Sequence, residues 1–428
     1  MAGIRVPARI GSARWIATLA AMTAVTALSI DMSLPAQPTL AARFGVSSAT
    51  AQLTLSVFLI GFACAQLITG YLSDAFGRRR VMLGGLALFT ASGVACALSP
   101  TIETLIAFRA LQGIGAAAAP VVARAMVRDT QPAQQAARLL STMLAALAVA
   151  PMIAPVIGGA LLGAIGWRAI FAMLACCGVV LFLLAHGTLT ETLPAERRLS
   201  PSLAGLARGY LTFFRTPGTR LPMLIGCMSF AGQFGYIADS PFVLIEGYHV
   251  DASDYGFYFG MTALALMLGS IAGGRMLRAG RSPGTMLVIG GTTLLLGGVL
   301  VIAGTHSQLG IFGLMAPLVV FFFGIGITSP SATALALHPV PHIAGTASAA
   351  IGFFSTMAGV ISGYETTLIG GSSPRAFSVV MLVTGALAAV LALLGAVVRR
   401  RVMRAPVPAC SSPERGLPAE PSPTRLSA

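Results

Sequence analysis

The chain has 428 residues, of which 56% are hydrophobic and only 9% are charged, and its mean hydropathy is +0.85. Soluble domains carry about 25% charged residues, so this composition excludes a soluble protein and predicts an all-α integral membrane protein. The net charge of +14 is interpreted as loop arginines that face the cytoplasm and anionic lipid, so we expect no nucleic-acid partner.

Twelve apolar runs long enough to cross a bilayer follow one another along the chain. The sequence predicts twelve transmembrane helices in two pseudo-symmetric halves, which is typical of a transporter whose site lies between the halves near the bilayer midplane. The expected segments are a cytoplasmic N-terminal tail at 1–14, a six-helix bundle at 15–188, a cytoplasmic linker at 189–220, a second six-helix bundle at 221–398 and a disordered cytoplasmic tail at 399–428.

The arginines predict the orientation of these spans. They concentrate in the two tails, in the linker and in loops on the same side of the membrane. By the positive-inside rule both termini are cytoplasmic. We expect a multi-pass membrane protein with an even number of spans.

The loop 70–80 joins the second and third spans and reads G-Y-L-S-D-A-F-G-R-R-R. Its first glycine allows a close helix neighbour, its acid can cap or face another helix's N-terminus, and its second glycine permits a tight turn. An ordinary positive-inside loop would explain the arginines but not this order. The order resembles the loop signature of the major facilitator superfamily, and this resemblance implies a conformational latch formed by Gly70, Asp74, Gly77, Arg78 and Arg79.

A degenerate copy of this loop lies at the matching place in the second half. The spacing of Gly70, Gly77 and Arg78 recurs as Gly273, Gly280 and Arg281. Leu277 stands where the first copy has its acid. This repeat agrees with two related halves.

An ionisable residue inside a membrane span costs a few kcal/mol, and we take three of those in the predicted spans as functional candidates. Asp31 lies near the outer end of the first span and can exchange a proton; the alternative is that it only reaches external water. Arg109 keeps its charge and needs a partner, for which Asp31 is the obvious candidate, directly or through water. Asp239 occupies the matching seventh span and, like Asp31, precedes a proline.

Methionines and aromatic residues in the spans can line a cavity for varied ligands, because methionine is flexible and aromatic rings are flat. Core packing or contact with lipid is the alternative for most of them. The candidates for the substrate cavity are Met32, Phe58, Phe62, Gln112, Met143, Phe230 and Phe234.

The fifth span combines helix-kinking and close-packing residues. Pro151 and Pro155 are four residues apart, and Gly158 and Gly159 follow them. Prolines kink a membrane helix, and paired glycines let a neighbour approach closely.

Neither a metal site nor a disulfide framework is predicted. Five of the six cysteines fall inside apolar runs, and Cys410 lies in the C-terminal tail. Their spacing matches no metal-binding or disulfide pattern. We expect no cofactor and no metal, and the absence of a catalytic cluster or nucleotide-binding loop argues against an enzyme or a receptor.

Taken together, the chain resembles the Bcr/CflA-type drug exporters (bicyclomycin and chloramphenicol resistance) of the major facilitator superfamily over about 15–398. The stretches that carry the resemblance are Ser29–Met32 with Leu34–Ala36, Gly70–Arg80, Arg109–Ala117, Ala154 and Pro155 with Gly158 and Gly159, Ser229–Gly232, Pro241–Val243 and Pro341–Ser348.

The resemblance implies proton-coupled efflux of small amphipathic drugs from the cytoplasm to the periplasm or exterior by a monomer. It also implies a location in the bacterial cytoplasmic (inner) membrane. It implies that Asp31 and Arg109 serve proton coupling, and that Pro155, Gly158 and Gly159 form an antiporter motif, absent from most importers. We add Pro151 to that motif and Asp239 to the proton-coupling candidates. The alternative function is proton-coupled export or import of a specific metabolite such as an amino acid, peptide or sugar.

Two positions depart from the family pattern. Ala75 stands where the family usually has a basic residue, so one cationic contact of the latch is expected to be missing. Asp239 stands where the family usually has a small uncharged residue, which shifts the expected substrates towards cations.

Overall fold

The computed structural model describes residues 10–198, 203–370 and 373–404. The predicted tails at 1–14 and 399–428 lie largely outside this part, although the last helix continues to residue 404. Within the described residues the chain forms fourteen α-helices. They are α1 (Ala13–Asp31), α2 (Gln37–Phe44), α3 (Ser48–Phe76), α4 (Arg78–Ala97), α5 (Ile102–Thr130), α6 (Ala133–Ala164), α7 (Trp167–Thr188), α8 (Leu203–Arg215), α9 (Arg220–Pro241), α10 (Tyr255–Arg278), α11 (Pro283–Thr305), α12 (Gly310–Leu337), α13 (Ala344–Gly370) and α14 (Pro374–Arg404).

Eleven helical segments of the described chain are long and apolar enough to cross a membrane, and α6 adds a shorter apolar stretch, Val149–Ala164. Large apolar side chains such as Val180, Leu183 and Leu296 are exposed on the outside of the bundle. A surface of this kind is stable in a bilayer and not in water. The predicted all-α membrane architecture is therefore confirmed.

Short connections make consecutive membrane helices antiparallel. The first and last membrane helices, α1 and α14, therefore begin and end on the same side of the bundle, which is named here the terminal face. The opposite side is named the distal face. Asp31 at the end of α1 and Pro241 at the end of α9 both lie towards the distal face.

The membrane helices form two halves, α1 with α3–α7 and α9–α14. In the first half α5 packs on α3 and α4; in the second, α11 packs on α12 and α14, and α9 packs on α13. The halves meet mainly along two helix pairs, α3 with α13 and α6 with α10. A site between the halves is therefore lined by helices that belong to different packing units.

The linker between the halves contains the amphipathic helix α8, which lies across the terminal face. Phe213 of α8 is buried in an apolar cluster with Met223 and Val340 of the second half. The hydroxyl of Tyr210 donates a hydrogen bond of 2.8 Å to the main-chain oxygen of Leu67 in α3. Burial raises the pKa of Tyr210 to about 12, so the hydroxyl keeps its proton near neutral pH and can link the two halves as a donor.

Close helix packing depends on small residues, since lipid provides no hydrophobic force between helices. Gly85 of α4 illustrates this: a Cβ atom added there would overlap Ala118 of α5. A Cβ atom added at the preceding residue, Gly84, would meet no heavy atom of another helix within 4 Å. The two glycines thus form a matched pair, one in a helix interface and one outside it.

We predict that Gly85→Ala destabilises the protein by about 1 to 3 kcal/mol, because the new methyl group must push α4 and α5 apart. Gly84→Ala should leave stability unchanged or raise it slightly, since alanine favours helix. The apparent unfolding temperature of the purified protein in detergent measures both. Equal effects of the two substitutions would contradict this packing.

Candidate functional site

Arg109 is completely buried in α5, seven residues from its distal end and thus about 10 Å inside the helix. Its guanidinium donates to the main-chain oxygens of Thr54 in α3 (3.1 Å) and Ser29 in α1 (3.3 Å). A third bond of 2.8 Å goes to the side-chain oxygen of Gln112 in α5. One side chain therefore joins three helices of the first half.

Two aromatic rings complete the surroundings of Arg109. Its guanidinium carbon lies 4.3 Å from the ring centroid of Phe58 and 5.7 Å from that of Phe171. The negative face of an aromatic ring attracts a cation. Phe58, which the sequence placed in the substrate cavity, is instead fully buried against the guanidinium inside the first half.

The expected ion pair between Arg109 and Asp31 is not formed. Among the described residues, the ion pairs within 4.0 Å both involve Arg78. The physical reason is helix geometry: Arg109 binds the oxygen of Ser29, and a residue two positions further on faces another direction. Asp31 is buried at the end of α1, and the segment that follows it, Leu34–Ala36, packs against α9 of the second half. Asp31 thus lies close to the interface between the halves.

Asp239 forms a second polar contact between the halves. The side-chain nitrogen of Gln52 in α3 donates to a carboxylate oxygen of Asp239 in α9 (2.7 Å) and to the main-chain oxygen of Ala238 (3.3 Å). Both Gln52 and Asp239 are buried. Beside them, the hydroxyls of Ser240 and Tyr255 are 2.7 Å apart. The role of Gln52 could not be predicted from the sequence, because an uncharged residue on an apolar helix gives no signal and its partner is 187 residues away.

The other cavity candidates differ in exposure. Met32, Met143 and Phe234 are buried, whereas Phe62 and Phe230 remain partly exposed. The rings of Phe230 and Phe234 stack with centroids 6.5 Å apart. Gln112 is buried with Arg109, and within the described part of the chain its side-chain nitrogen has no hydrogen-bond partner. Gln112 and Phe58 therefore support Arg109 in this conformation, while Phe62 and Phe230 are only partly buried.

Helix α6 brings its proline- and glycine-containing stretch to the interface between the halves. Pro151 and Pro155 lie within the helix, and Gly158 packs against the main-chain oxygen of Met32. A Cβ atom added at Gly159 would lie 2.5 Å from the main-chain oxygen of Ala252, in the second half. On the facing helix, a Cβ atom at Gly256 would lie 2.7 Å from the main-chain nitrogen of Val156. Glycines on both sides thus make a close contact near the distal face.

The predicted latch forms a charged network at the terminal face. Arg78 pairs with Asp74 (2.5 Å) and with Asp129 at the end of α5 (2.8 Å), and it donates to the hydroxyl of Ser73 (2.6 Å). Asp74 therefore binds an arginine of its own loop and not the N-terminus of another helix, which corrects the sequence expectation. A Cβ atom added at Gly70 would have only Val121 of α5 as a neighbour, at 3.9 Å.

A carboxylate from the linker caps the helix that begins after Gly77, whose φ is +97°. The two carboxylate oxygens of Glu191 accept from the main-chain nitrogens of Arg78 (2.9 Å) and Arg79 (3.2 Å). The Arg79 side chain donates to the main-chain oxygens of His186 and Leu189, at the end of α7. Sequence reasoning treated Glu191 only as part of a polar linker, so it missed this cap.

The chain matches a known protein family over most of its length. The family model described as Major Facilitator Superfamily matches residues 19–363. The chain belongs to this superfamily. Members are transporters, so the comparison agrees with a transport protein and with the two-halved architecture.

Among curated relatives, the chain is 33% identical to the uncharacterized MFS-type transporter YdgK of Bacillus subtilis, over 78% of this chain and 83% of that protein. It is 29% identical to the bicyclomycin resistance protein homolog of Haemophilus influenzae, over 82% and 87% of the two chains. It is 28% identical to the multidrug resistance protein MdtL of Escherichia coli, over 76% and 80%.

Among solved structures, a crystal structure of the D-xylose–proton symporter superposes with a TM-score of 0.68, covering 89% of this chain and 96% of that chain at 17% identity. A partially occluded inward-open conformation of the xylose transporter XylE from E. coli gives a TM-score of 0.67 at 16% identity, with the same coverage. At these identities the likeness shows the fold alone.

We predict that Arg109→Lys lowers stability by about 3 kcal/mol, because an ammonium cannot reach the carbonyls of α1 and α3 and Gln112 together. Arg168→Lys is the matched control. Arg168 also donates to a main-chain oxygen (Ser99, 3.1 Å) and also lies over an aromatic ring (Trp167, 4.3 Å), but it is exposed. Thermal unfolding in detergent should separate the two variants; similar small shifts in both would contradict the role given to Arg109.

Proposed function

We propose that this member of the superfamily is a proton-coupled antiporter that exports small amphipathic drugs. The observation that carries the proposal is the position of Asp31, a buried carboxyl at the interface between two halves that pack as separate units. The positive charge of Arg109 is held by main-chain oxygens and aromatic rings, so it does not depend on Asp31. A carboxyl in such a place can gain and lose a proton without dismantling the first half.

The relatives support drugs as the substrate class. Two of them are named for resistance to bicyclomycin and to multiple drugs. The stacked pair Phe230 and Phe234, together with the partly exposed Phe62, offers flat apolar surface for varied ligands. The buried carboxyls Asp31 and Asp239 favour cationic members of that class.

The membrane orientation follows from the arginines. The terminal face carries the Arg78 and Arg79 network and the ends of α10 and α11 around Arg278 and Arg281. The positive-inside rule makes this face cytoplasmic, so the distal face opens to the periplasm. The protein acts in this account as a monomer of the bacterial cytoplasmic membrane, with both termini in the cytoplasm.

The transport cycle uses the two faces in turn. When Asp31 is accessible from the periplasm it takes up a proton, its attraction for a cationic drug falls, and the drug leaves. When Asp31 is accessible from the cytoplasm it releases the proton and binds the next drug molecule. Each charge moved through 100 mV supplies about 2.3 kcal/mol, which sustains roughly a fifty-fold gradient.

The contacts at the terminal face assist this cycle. The network of Arg78 with Asp74 and Asp129 joins α3, α4 and α5, so these helices move together when the halves rock. Because glycines lie at the contact between α6 and α10, these helices can approach each other closely and close the distal side. Opening that side requires α6 and α10 to separate.

We predict that drug-dependent proton movement falls to background in Asp31→Asn. The measurement uses the purified protein in proteoliposomes and a panel of cationic and neutral drugs. The amide cannot carry a proton through the cycle. Glu246→Gln is the control, because Glu246 is an exposed carboxyl near the same end of the bundle. It should keep the wild-type response.

Two other results would change the account. Proton movement retained in Asp31→Asn would move the coupling site to Asp239. A wild-type protein that moves no protons with any drug in the panel would contradict drug antiport and favour proton-coupled transport of a specific metabolite.

A further inference from the structure

The hydrogen bond between Gln52 and Asp239 crosses the interface between the two halves. It therefore does not contribute to the packing within either half. Gln52 lies in the second turn of α3 and Asp239 in the last turn of α9, both towards the distal face. Their bond of 2.7 Å therefore joins the two halves on the side from which the transported compound would leave. The second bond from Gln52, to the main-chain oxygen of Ala238, fixes the amide in the same place.

We propose that Gln52 is a positioning residue that holds the ionised carboxylate of Asp239 across the interface and keeps the distal side closed until Asp239 is protonated. This inference rests on the proposed function for its role in transport. The physical basis is that a hydrogen bond to a charged acceptor is roughly twice as strong as one to a neutral acceptor. Protonation therefore weakens the link between the halves without changing either bundle.

The surroundings of the pair agree with a separable contact. Two other contacts between the halves near the distal face, Gly159 with Ala252 and Gly256 with Val156, are close approaches of a glycine to a neighbouring main chain. These four residues carry no ionisable side chain. Among these distal contacts, the charge-dependent one is the bond between Gln52 and Asp239.

Other titratable groups must be distinguished from Asp239 in any pH experiment. Those on the elements packed around α9, and on the segments that follow it, fall into a buried set and an exposed set. The buried set is Asp31, Tyr236 and Tyr255, and the exposed or half-exposed set at the distal face is Glu246, Tyr248, His249, Asp251, Asp254, Tyr364, Glu365 and Arg375.

The proposal is tested by measuring the distance between the two halves at the distal face. Spin labels at Ser47, which is exposed at the distal end of the first half, and at Leu309, exposed at the distal end of the second, report opening of the distal side. The protein is the full chain in lipid nanodiscs, with native cysteines replaced. Distance distributions are recorded by pulsed electron paramagnetic resonance at pH 5 and pH 8.

In the wild-type background we expect acid to raise the population of the longer distance about fivefold, the ratio that follows from weakening one charge-assisted hydrogen bond. Asp239→Asn should show the raised population at both pH values, because its acceptor is always neutral. Asp31→Asn should keep the wild-type pH response. The test of the Gln52–Asp239 bond is therefore independent of the proton-coupling role of Asp31.

Gln52→Glu gives the most specific outcome, a reversed pH response. Two ionised carboxylates repel one another at pH 8 and open the distal side, whereas at pH 5 the pair shares a proton and closes it. A merely structural role for Gln52 does not predict this reversal. Gln52→Leu should raise the longer-distance population and lose most of its pH dependence.

Gln37→Leu is the matched control. Gln37 is also a buried glutamine, and its side chain donates to the hydroxyl of Thr54 (3.2 Å), but both residues belong to the first half. This variant should leave the distance distribution unchanged. A wild-type direction of pH response in Gln52→Glu, or an equal shift in Gln37→Leu, would overturn the proposal.

Discussion

The buried guanidinium of Arg109 sets the constraint on which the first half depends. A permanent charge inside a membrane protein is stable only when its donors are satisfied and its charge is compensated. Here the main-chain oxygens of Ser29 and Thr54 accept two of its hydrogen bonds. Because main-chain oxygens cannot titrate or change rotamer, α1, α3 and α5 stay joined whatever the protonation state of nearby carboxyls.

This arrangement divides the protein's charges into two classes. Fixed charges hold the first half together: Arg109 in the bundle, and Arg78 and Arg79 with their carboxylate and carbonyl partners at the terminal face. The buried carboxyls Asp31 and Asp239 lie instead at the interface between the halves. Protonation of these acids can therefore change how the halves meet while each half keeps its structure, which is what alternating access requires.

The sequence was sufficient for the features that arise from local patterns. Span lengths predicted the all-helical bundle, and the glycine in the loop 70–80 predicted a tight turn, which is formed at Gly77 with a φ of +97°. It was insufficient where the partner is distant or belongs to the main chain. Every residue has a main-chain carbonyl, so the sequence does not indicate which carbonyls accept from Arg109. Gln52 contacts Asp239 only because α3 and α9 pack across the interface. The cap of Glu191 on α4 depends on how the linker returns to the first half.

The central claim is that each half moves as a rigid unit while the interface changes. Spin labels at Leu98 and Ile165, both exposed distal residues of the first half, measure a distance within one unit, and labels at Leu98 and Leu309 measure a distance between the units. Pulsed electron paramagnetic resonance with and without transported drug compares them in nanodiscs. The account predicts that the distance between the halves shifts and the distance within the first half does not. A comparable shift within the first half would contradict it.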